Sequence, residues 1–335
     1  MLPLIEYVRG GLSESVHHGS VVAVTSSGEV LASVGDATAR VFVRSSGKPF
    51  QALPLVSSGA AAVWGMSERE LSLACASHSG SAAHLAVARG FAERVGFTAA
   101  DLRCGTHVVE NAETEAELIR SGGKRDAFFH NCSGKHLGML ATARHLGQPL
   151  ETYLDVDGPV QQGVLAAVSA FCDVPVGEIG LGTDGCSAPN FALPLTTTAL
   201  GVARLMDPDA PAAAHTVVSA MTAHPEMVQG EGGFDTEFMR LLGGKAISKR
   251  GAEGVQIVGL APRNGRPAVG LVVKIGDGAS RGAVPAIAAA MNQLGLLTDA
   301  EAVALKARNW LPPTPQRNWS GLTVGEVRAV FQVAS

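Results

Sequence analysis

Arg44-Ser45-Ser46-Gly47-Lys48-Pro49 is where this chain turns from strand to helix. Val41-Phe42-Val43, a short apolar strand, runs into it. Pro49 suits the first turn of a helix beginning near Lys48, because its fixed φ is helical and its missing N–H needs no partner there. Within the stretch, Ser45 and Lys48 form S-x-x-K. Three residues apart at a helix start, the two side chains share a face, about one turn from each other. A lysine held in an apolar pocket loses its proton more readily, and the amine then takes a proton from a serine hydroxyl and makes it a nucleophile. The motif alone is weak, since most S-x-x-K occurrences are solvated helix starts.

Working outward, Val21–Thr25 and Val30–Val34 flank Ser26-Ser27-Gly28-Glu29 and read as a hairpin. Downstream the pattern is helical: a capping box at Ser67-x-x-Glu70, then helices over Ala82–Val95, Thr114–Arg120, Gly134–Leu146, Gly158–Phe171, Leu195–Met206 and Ala212–Thr222. Pro54 is expected to bend or shorten the first helix. Strands return at Val255–Leu260 and Ala268–Ile275, separated by the turn cluster 262–267. A buried helix over Ala283–Leu294 and a last strand over Leu322–Val333 complete the order. Strands, then helices, then strands predict an α/β chain of the α+β type. Its N- and C-terminal strands share one antiparallel sheet flanked by helices, and the middle forms a helical lobe. No linker separates independent domains, so residues 1–335 read as one domain, with a sheet lobe over about 1–45 and 245–335 and a helical lobe over about 46–244. Ser45 then falls at the mouth of a cleft between lobes.

Composition bounds the function. Of 335 residues, 46% are hydrophobic and 17% charged, and the net charge is −4 with no basic run, which gives no support for nucleic-acid binding. Such a surface leaves apolar area for a partner subunit. No segment reaches the roughly 18 apolar residues of a membrane span. The start, Met1-Leu2-Pro3-Leu4-Ile5-Glu6-Tyr7, lacks a basic region leading into an apolar run, so no signal peptide is read. Five scattered cysteines (75, 104, 132, 172 and 186) argue for reduced thiols and a cytoplasmic location.

Four further segments carry chemistry-bearing residues. Lys249-Arg250-Gly251-Ala252-Glu253-Gly254, just before a strand, matches the K-[ST]-G element of S-x-x-K enzymes, with Arg250 in place of the usual Ser or Thr. A plain turn with solvated charges is the competing reading. Ala74-Cys75-Ala76-Ser77-His78-Ser79-Gly80 offers Ser77 as proton relay or second nucleophile, or else a helix N-cap by Ser79 or Ser81. His130-Asn131-Cys132-Ser133-Gly134-Lys135-His136 and Gly182-Thr183-Asp184-Gly185-Cys186-Ser187-Ala188-Pro189-Asn190 are polar glycine loops, each holding a cysteine. Cys132, Cys186 and one more ligand would suit zinc, but without a C-x-x-C pair the residues themselves favour buried inert thiols. A metal would require thiolates, and any lysine ligand would have to be neutral.

Taken together, R-S-S-x-K-P (44–49), A-S-H-S-G (76–80), H-N-C-S-G-K-H (130–136), T-D-G-C-S-A-P (183–189) and K-x-G-A-E-G (249–254) resemble the asparaginase II family, the class 3 or rhizobial-type L-asparaginases. The resemblance runs from the N-terminal strands to Gly276-Asp277-Gly278. It implies the fold of serine β-lactamases and S-x-x-K glutaminases, a homodimer, and hydrolysis of L-asparagine to L-aspartate and ammonia. It also implies two serine–lysine tandems: Ser45 with Lys48, and Ser77 with Lys249, for which Lys245 and Lys274 are nearby alternatives. Zinc would sit beside the active site on Cys132, Lys135 and Cys186, with Asp184 orienting a metal-bound water. For the substrate, Arg44, the Asp184 loop and His136 are candidate partners; Arg44 equally reads as a structural cap pairing with a carboxylate. The rivals are a glutaminase or β-lactam-recognising hydrolase on the same scaffold, and a non-catalytic amino-acid or zinc binder that kept the pocket.

Overall fold

The computed structural model describes residues 1–333. Eleven strands are found there: β1 (Leu2–Arg9), β2 (Leu12–Thr25), β3 (Val30–Val34), β4 (Arg40–Phe42), β5 (Gly180–Thr183), β6 (Pro189–Pro194), β7 (Ala246–Gly251), β8 (Val255–Leu260), β9 (Val269–Ile275), β10 (Thr314–Arg317) and β11 (Thr323–Ala329). The chain divides into two compact units. One comprises residues 1–46, 193–208 and 248 onward; the other comprises 47–192 and 209–247.

The first unit is built on an eight-stranded sheet in the order β10-β11-β1-β2-β9-β8-β7, with β3 also paired to β2. N- and C-terminal strands therefore lie side by side, as the element order predicts. β1 runs antiparallel to β11, with Ile5 opposite Ala329, and β2 antiparallel to β9, with Val21 opposite Val273. β8 and β9 are apolar and β-branched, and nearly every residue is buried. A strand that hides both faces needs cover on both. The helices Leu195–Leu205 and Ala283–Gln293 pack on this sheet, so Leu195–Leu205 belongs with the sheet, not with the helical residues around it in sequence. The expected last strand is shorter than predicted, ending at Ala329, and strands Leu2–Arg9 and Ala246–Gly251 add to those expected.

The second unit is mainly helical. Its centre is the helix Ser133–His145, in which every residue from Ser133 to Ala143 is buried. A helix buried all round is enclosed by neighbours rather than laid on a surface. Helices Lys48–Ser57, Glu68–Ala74, Ala82–Val95 and Pro159–Cys172 supply that enclosure. The first of them runs on through Pro54 for ten residues to Ser57, so the proline does not shorten it. The capping box of Ser67 and Glu70 is formed as expected. Polar Ser133, Lys135 and His136 sit in the first turn of the central helix. Such groups are tolerated in a core only with partners, and those partners define the candidate site.

Candidate active site

In the helical unit, Lys48 opens its helix fully buried, and its amine finds two acceptors. Nζ donates to Ser77 Oγ at 3.0 Å and to the carbonyl oxygen of Ala76. Ser77 is 3% exposed and lies in a segment pinned on both sides. Ser77 N–H donates to the Val228 carbonyl, Ser79 N–H to that of Gln229, and His78 N–H to that of Asn131. The hydroxyl that Lys48 reaches is thus that of Ser77, the serine that the resemblance pairs with Lys249. S-x-x-K spacing shows which helix face two residues share, but not which distant loop reaches the amine.

His78 accepts from Gly80 N–H at Nδ1, so its Nε2–H donates to Ser133 Oγ at 2.9 Å. Burial, and then the nearby His84 and Lys48, hold His78 well below the usual histidine range, so the ring is a neutral strut. The helix N-cap in this segment is Ser81, which forms a capping box with His84. Ser79 does not cap it.

The two cysteine loops also meet. A hairpin of β5 and β6, with Thr183 opposite Pro189, closes through Asp184 N–H to the Ala188 carbonyl and presents Cys186 from its tip. Gln51 Nε2 steadies it by donating to the Pro189 carbonyl at 3.3 Å. Lys135 Nζ lies 2.9 Å from Cys186 Sγ, and the Cys186 thiol is hydrogen-bonded to Cys132. That bond, aided by the Lys48 and Lys135 charges and against the opposing effect of burial, holds Cys132 well below the usual thiol range. The same bond, then burial, pushes Cys186 up. Burial alone would lower Lys135, but the charges of Cys132, Cys186 and Asp184 outweigh it and raise Lys135. Cys104, which the motifs do not contain, lies within reach of the Cys132 charge; burial first, and that charge second, push its thiol up to about 12.

Two thiols and a buried amine in one cluster are a donor set that suits zinc, once the thiols and the amine give up their protons. Among the described residues no group of three His, Cys, Asp or Glu side chains is arranged to hold a metal. Asp184 is half-buried beside it. His136 is fully buried, and Nδ1 lies 2.6 Å from Tyr153 Oη. Tyr153 is a second residue that no motif signals.

In the sheet unit, Ser45 lies in a single 3₁₀ turn, Arg44–Gly47, half-buried, and its hydroxyl makes no hydrogen bond among the described residues. Arg44 is held at φ 51°, a left-handed conformation that a non-glycine residue adopts at a cost. Ser46 Oγ anchors the turn on the Val43 carbonyl at 2.6 Å. Lys249 is not in a solvated turn. It is fully buried on β7, and its Nζ donates to the Arg250 carbonyl at 2.8 Å. A-I-S-K-R-G has no apolar alternation, which hid this strand from the periodicity argument. Gly251 ends β7 against the Ser45 turn: a Cβ there would sit 2.9 Å from the Val43 oxygen and 3.3 Å from Ser46 N. The K-x-G element therefore abuts the S-x-x-K turn, and the glycine is what permits the approach.

A family model described as L-asparaginase II matches residues 5–329. No curated protein sequence matches the chain. A solved structure described as "Crystal Structure Analysis of Mglu" is similar over 82% of this chain and 67% of that one, at 15% identity and a TM-score of 0.40.

Proposed function

This chain belongs to the L-asparaginase II family of amidohydrolases, and we propose that it hydrolyses L-asparagine to L-aspartate and ammonia through a lysine-activated serine. The observation that carries this reading is the buried hydrogen bond between Lys48 Nζ and Ser77 Oγ, one turn after an unpartnered Ser45 hydroxyl. Ser45 is the proposed nucleophile, because it is half-buried and its hydroxyl is uncommitted, whereas Ser77 is enclosed and already engaged. In its amine form Lys48 has two N–H groups, which match Ala76 and Ser77, and a lone pair left for the Ser45 proton.

Attack of Ser45 Oγ on the side-chain amide carbon forms the C–O bond of a tetrahedral adduct, while Lys48 takes the hydroxyl proton. Backbone N–H groups of the Ser45 turn are the proposed oxyanion donors. Passing that proton from Lys48 through Ser77 to the amide nitrogen allows the C–N bond to break and ammonia to leave. Water, deprotonated by Lys48, then cleaves the β-aspartyl ester and returns the proton to Ser45. Lys249, buried in the same unit as Ser45, is the second lysine we assign to the reaction.

Zinc is the proposed metal, held by Cys132, Lys135 and Cys186, where it would supply positive charge to order the two cysteine loops and help hold substrate. Arg44, Asp184 and His136 are proposed to bind the α-carboxylate and α-ammonium. A homodimer is proposed from the apolar composition, and a cytoplasmic location from five free cysteines. No helix among the described residues is long and apolar enough to cross a membrane.

The test is ammonia release from L-asparagine, L-glutamine and a chromogenic β-lactam, with and without a chelator. L-asparagine is expected to be the preferred substrate. Ser45→Ala is expected to lower kcat by about 10³-fold or more, in line with loss of an activated nucleophile; near-normal turnover would remove Ser45 from that role. Cys132→Ala is expected to take zinc, measured by plasma mass spectrometry, from near one per chain to background and to raise KM. Metal loss with unchanged kinetics would make the metal incidental to the reaction.

A further inference from the structure

Arg103, Tyr153 and His136 form a chain of hydrogen bonds, buried from Tyr153 onward, that ends on an unused donor. Arg103 N–H donates to Tyr153 Oη at 2.9 Å, and Tyr153 Oη lies 2.6 Å from His136 Nδ1, the two rings edge to face. Tyr153 and His136 are both fully buried. At the far side of the imidazole, Nε2 is buried without a hydrogen-bond partner.

The count of donors decides the tautomer. If Nδ1 carried the proton, it would donate to Tyr153 Oη, and the tyrosine's own O–H would have no acceptor. The bare Nε2 would be unpartnered as well. If Nδ1 is bare, Tyr153 accepts from Arg103 and donates to His136, and every group but one is satisfied. A buried donor or acceptor left unmade is costly, so the second arrangement prevails and the single orphan is an Nε2–H donor. Burial keeps the tyrosine protonated, which this arrangement requires. Lys135, Cys132, His130 and Lys48 all lie within electrostatic reach of the His136 ring. His136 directly follows Lys135 in the first turn of the central helix, which places the orphan donor on the segment that carries the candidate site.

We propose that Tyr153 is a positioning residue that locks His136 in the Nε2–H tautomer, so that Nε2 is presented as a hydrogen-bond donor to an oxygen of the bound amino acid. The identity of that acceptor rests on the asparaginase reading; the tautomer does not. Asparagine and its product both carry carboxylate oxygens, which accept more strongly than neutral groups and match a donor with no protein partner. The competing occupant is an internal water shared with Gln161 Oε1, a buried acceptor beside Tyr153 that also lacks a partner.

The experiment uses ¹⁵N-histidine-labelled protein, with His136 assigned from the His136→Asn spectrum. In the wild type, two-bond ¹H–¹⁵N correlations are expected to show a protonated Nε2 and a bare Nδ1. Saturating L-aspartate is expected to move the Nε2 resonance. Tyr153→Phe keeps the ring and removes the hydroxyl. It is expected to give a mixture of tautomers and to raise KM for L-asparagine roughly fivefold or more, with kcat within about threefold. A protonated Nδ1 in the wild type would overturn the proposal. So would an unchanged tautomer in Tyr153→Phe, or an Nε2 resonance indifferent to bound L-aspartate, the outcome expected of an internal water. Both wild-type measurements stand even if the variant folds poorly. A protein whose Nε2 resonance responds to L-aspartate but which releases no ammonia from L-asparagine would refute the asparaginase reading and support this one.

Discussion

Lys48→Met is expected to reduce asparagine hydrolysis by about 10³–10⁴-fold in kcat while leaving a folded protein, because one amine serves every proton transfer in the proposed cycle. Lys48 is fully buried, and methionine nearly matches its volume without the charge, so packing is largely kept. The structural cost is confined to the Ala76 carbonyl and the Ser77 hydroxyl, which lose their donor, each at about 1–3 kcal/mol. Some of that is recovered because a buried polar head group is no longer desolvated. Thermal unfolding should therefore shift modestly while ammonia release collapses. The result does not depend on which serine attacks: Lys48 hydrogen-bonds to Ser77 and follows Ser45 by three residues. A variant that stays folded and keeps turnover within tenfold of wild type would remove Lys48 as the base. The mechanism would go with it.

The parts of this site that a linear reading finds are those whose chemistry sits in contiguous residues. Ser45 and Lys48 are three apart, Pro49 marks the helix start, and the cysteine loops announce themselves by glycine and polarity. The shared sheet of first and last strands follows from element order alone. What the sequence hides is set by tertiary contact. Lys48 finds Ser77 because the segment after helix Glu68–Ala74 is pinned to Val228 and Gln229, far along the chain. Lys249 lies between Ser248 and Arg250 on a strand with no alternation, and only the burial of β7 shows that its amine is out of solvent. Tyr153 follows a short 3₁₀ turn with no motif around it, so its role depends on a partner, His136, 17 residues earlier. Cys186 reads as a loop residue in sequence, yet the β5–β6 hairpin carries it to Lys135.

Gly134→Ala is expected to be among the most damaging single substitutions in the chain, although it adds one methyl group and improves helix propensity. The position lies in the first turn of the central helix, between Cys132 and Lys135. A Cβ there would stand 2.2 Å from the Leu73 carbonyl oxygen and 2.7 Å from its carbonyl carbon. Those are backbone atoms of helix Glu68–Ala74, so no side-chain rotation relieves the overlap, and the two helices have to separate. Alanine gains about 1 kcal/mol over glycine in helix propensity. Overpacking a well-filled core costs about 1–3 kcal/mol or more, and a clash with backbone belongs at the upper end. The net effect should lower Tm by several degrees, at about 2–4 °C per kcal/mol for a chain of this class. Because the displaced turn carries Lys135 and adjoins Cys132, zinc held at the proposed site should fall with it, even though neither proposed ligand is altered. An unchanged Tm would show that the two helices do not approach as closely as 2.2 Å requires. Zinc loss at unchanged Tm would instead place the glycine's role in the loop conformation rather than in the helix contact. The glycine of H-N-C-S-G-K-H is on this argument a packing residue, and the close helix contact it permits is what brings the first turn, with its amine and thiol, up to the Cys186 hairpin.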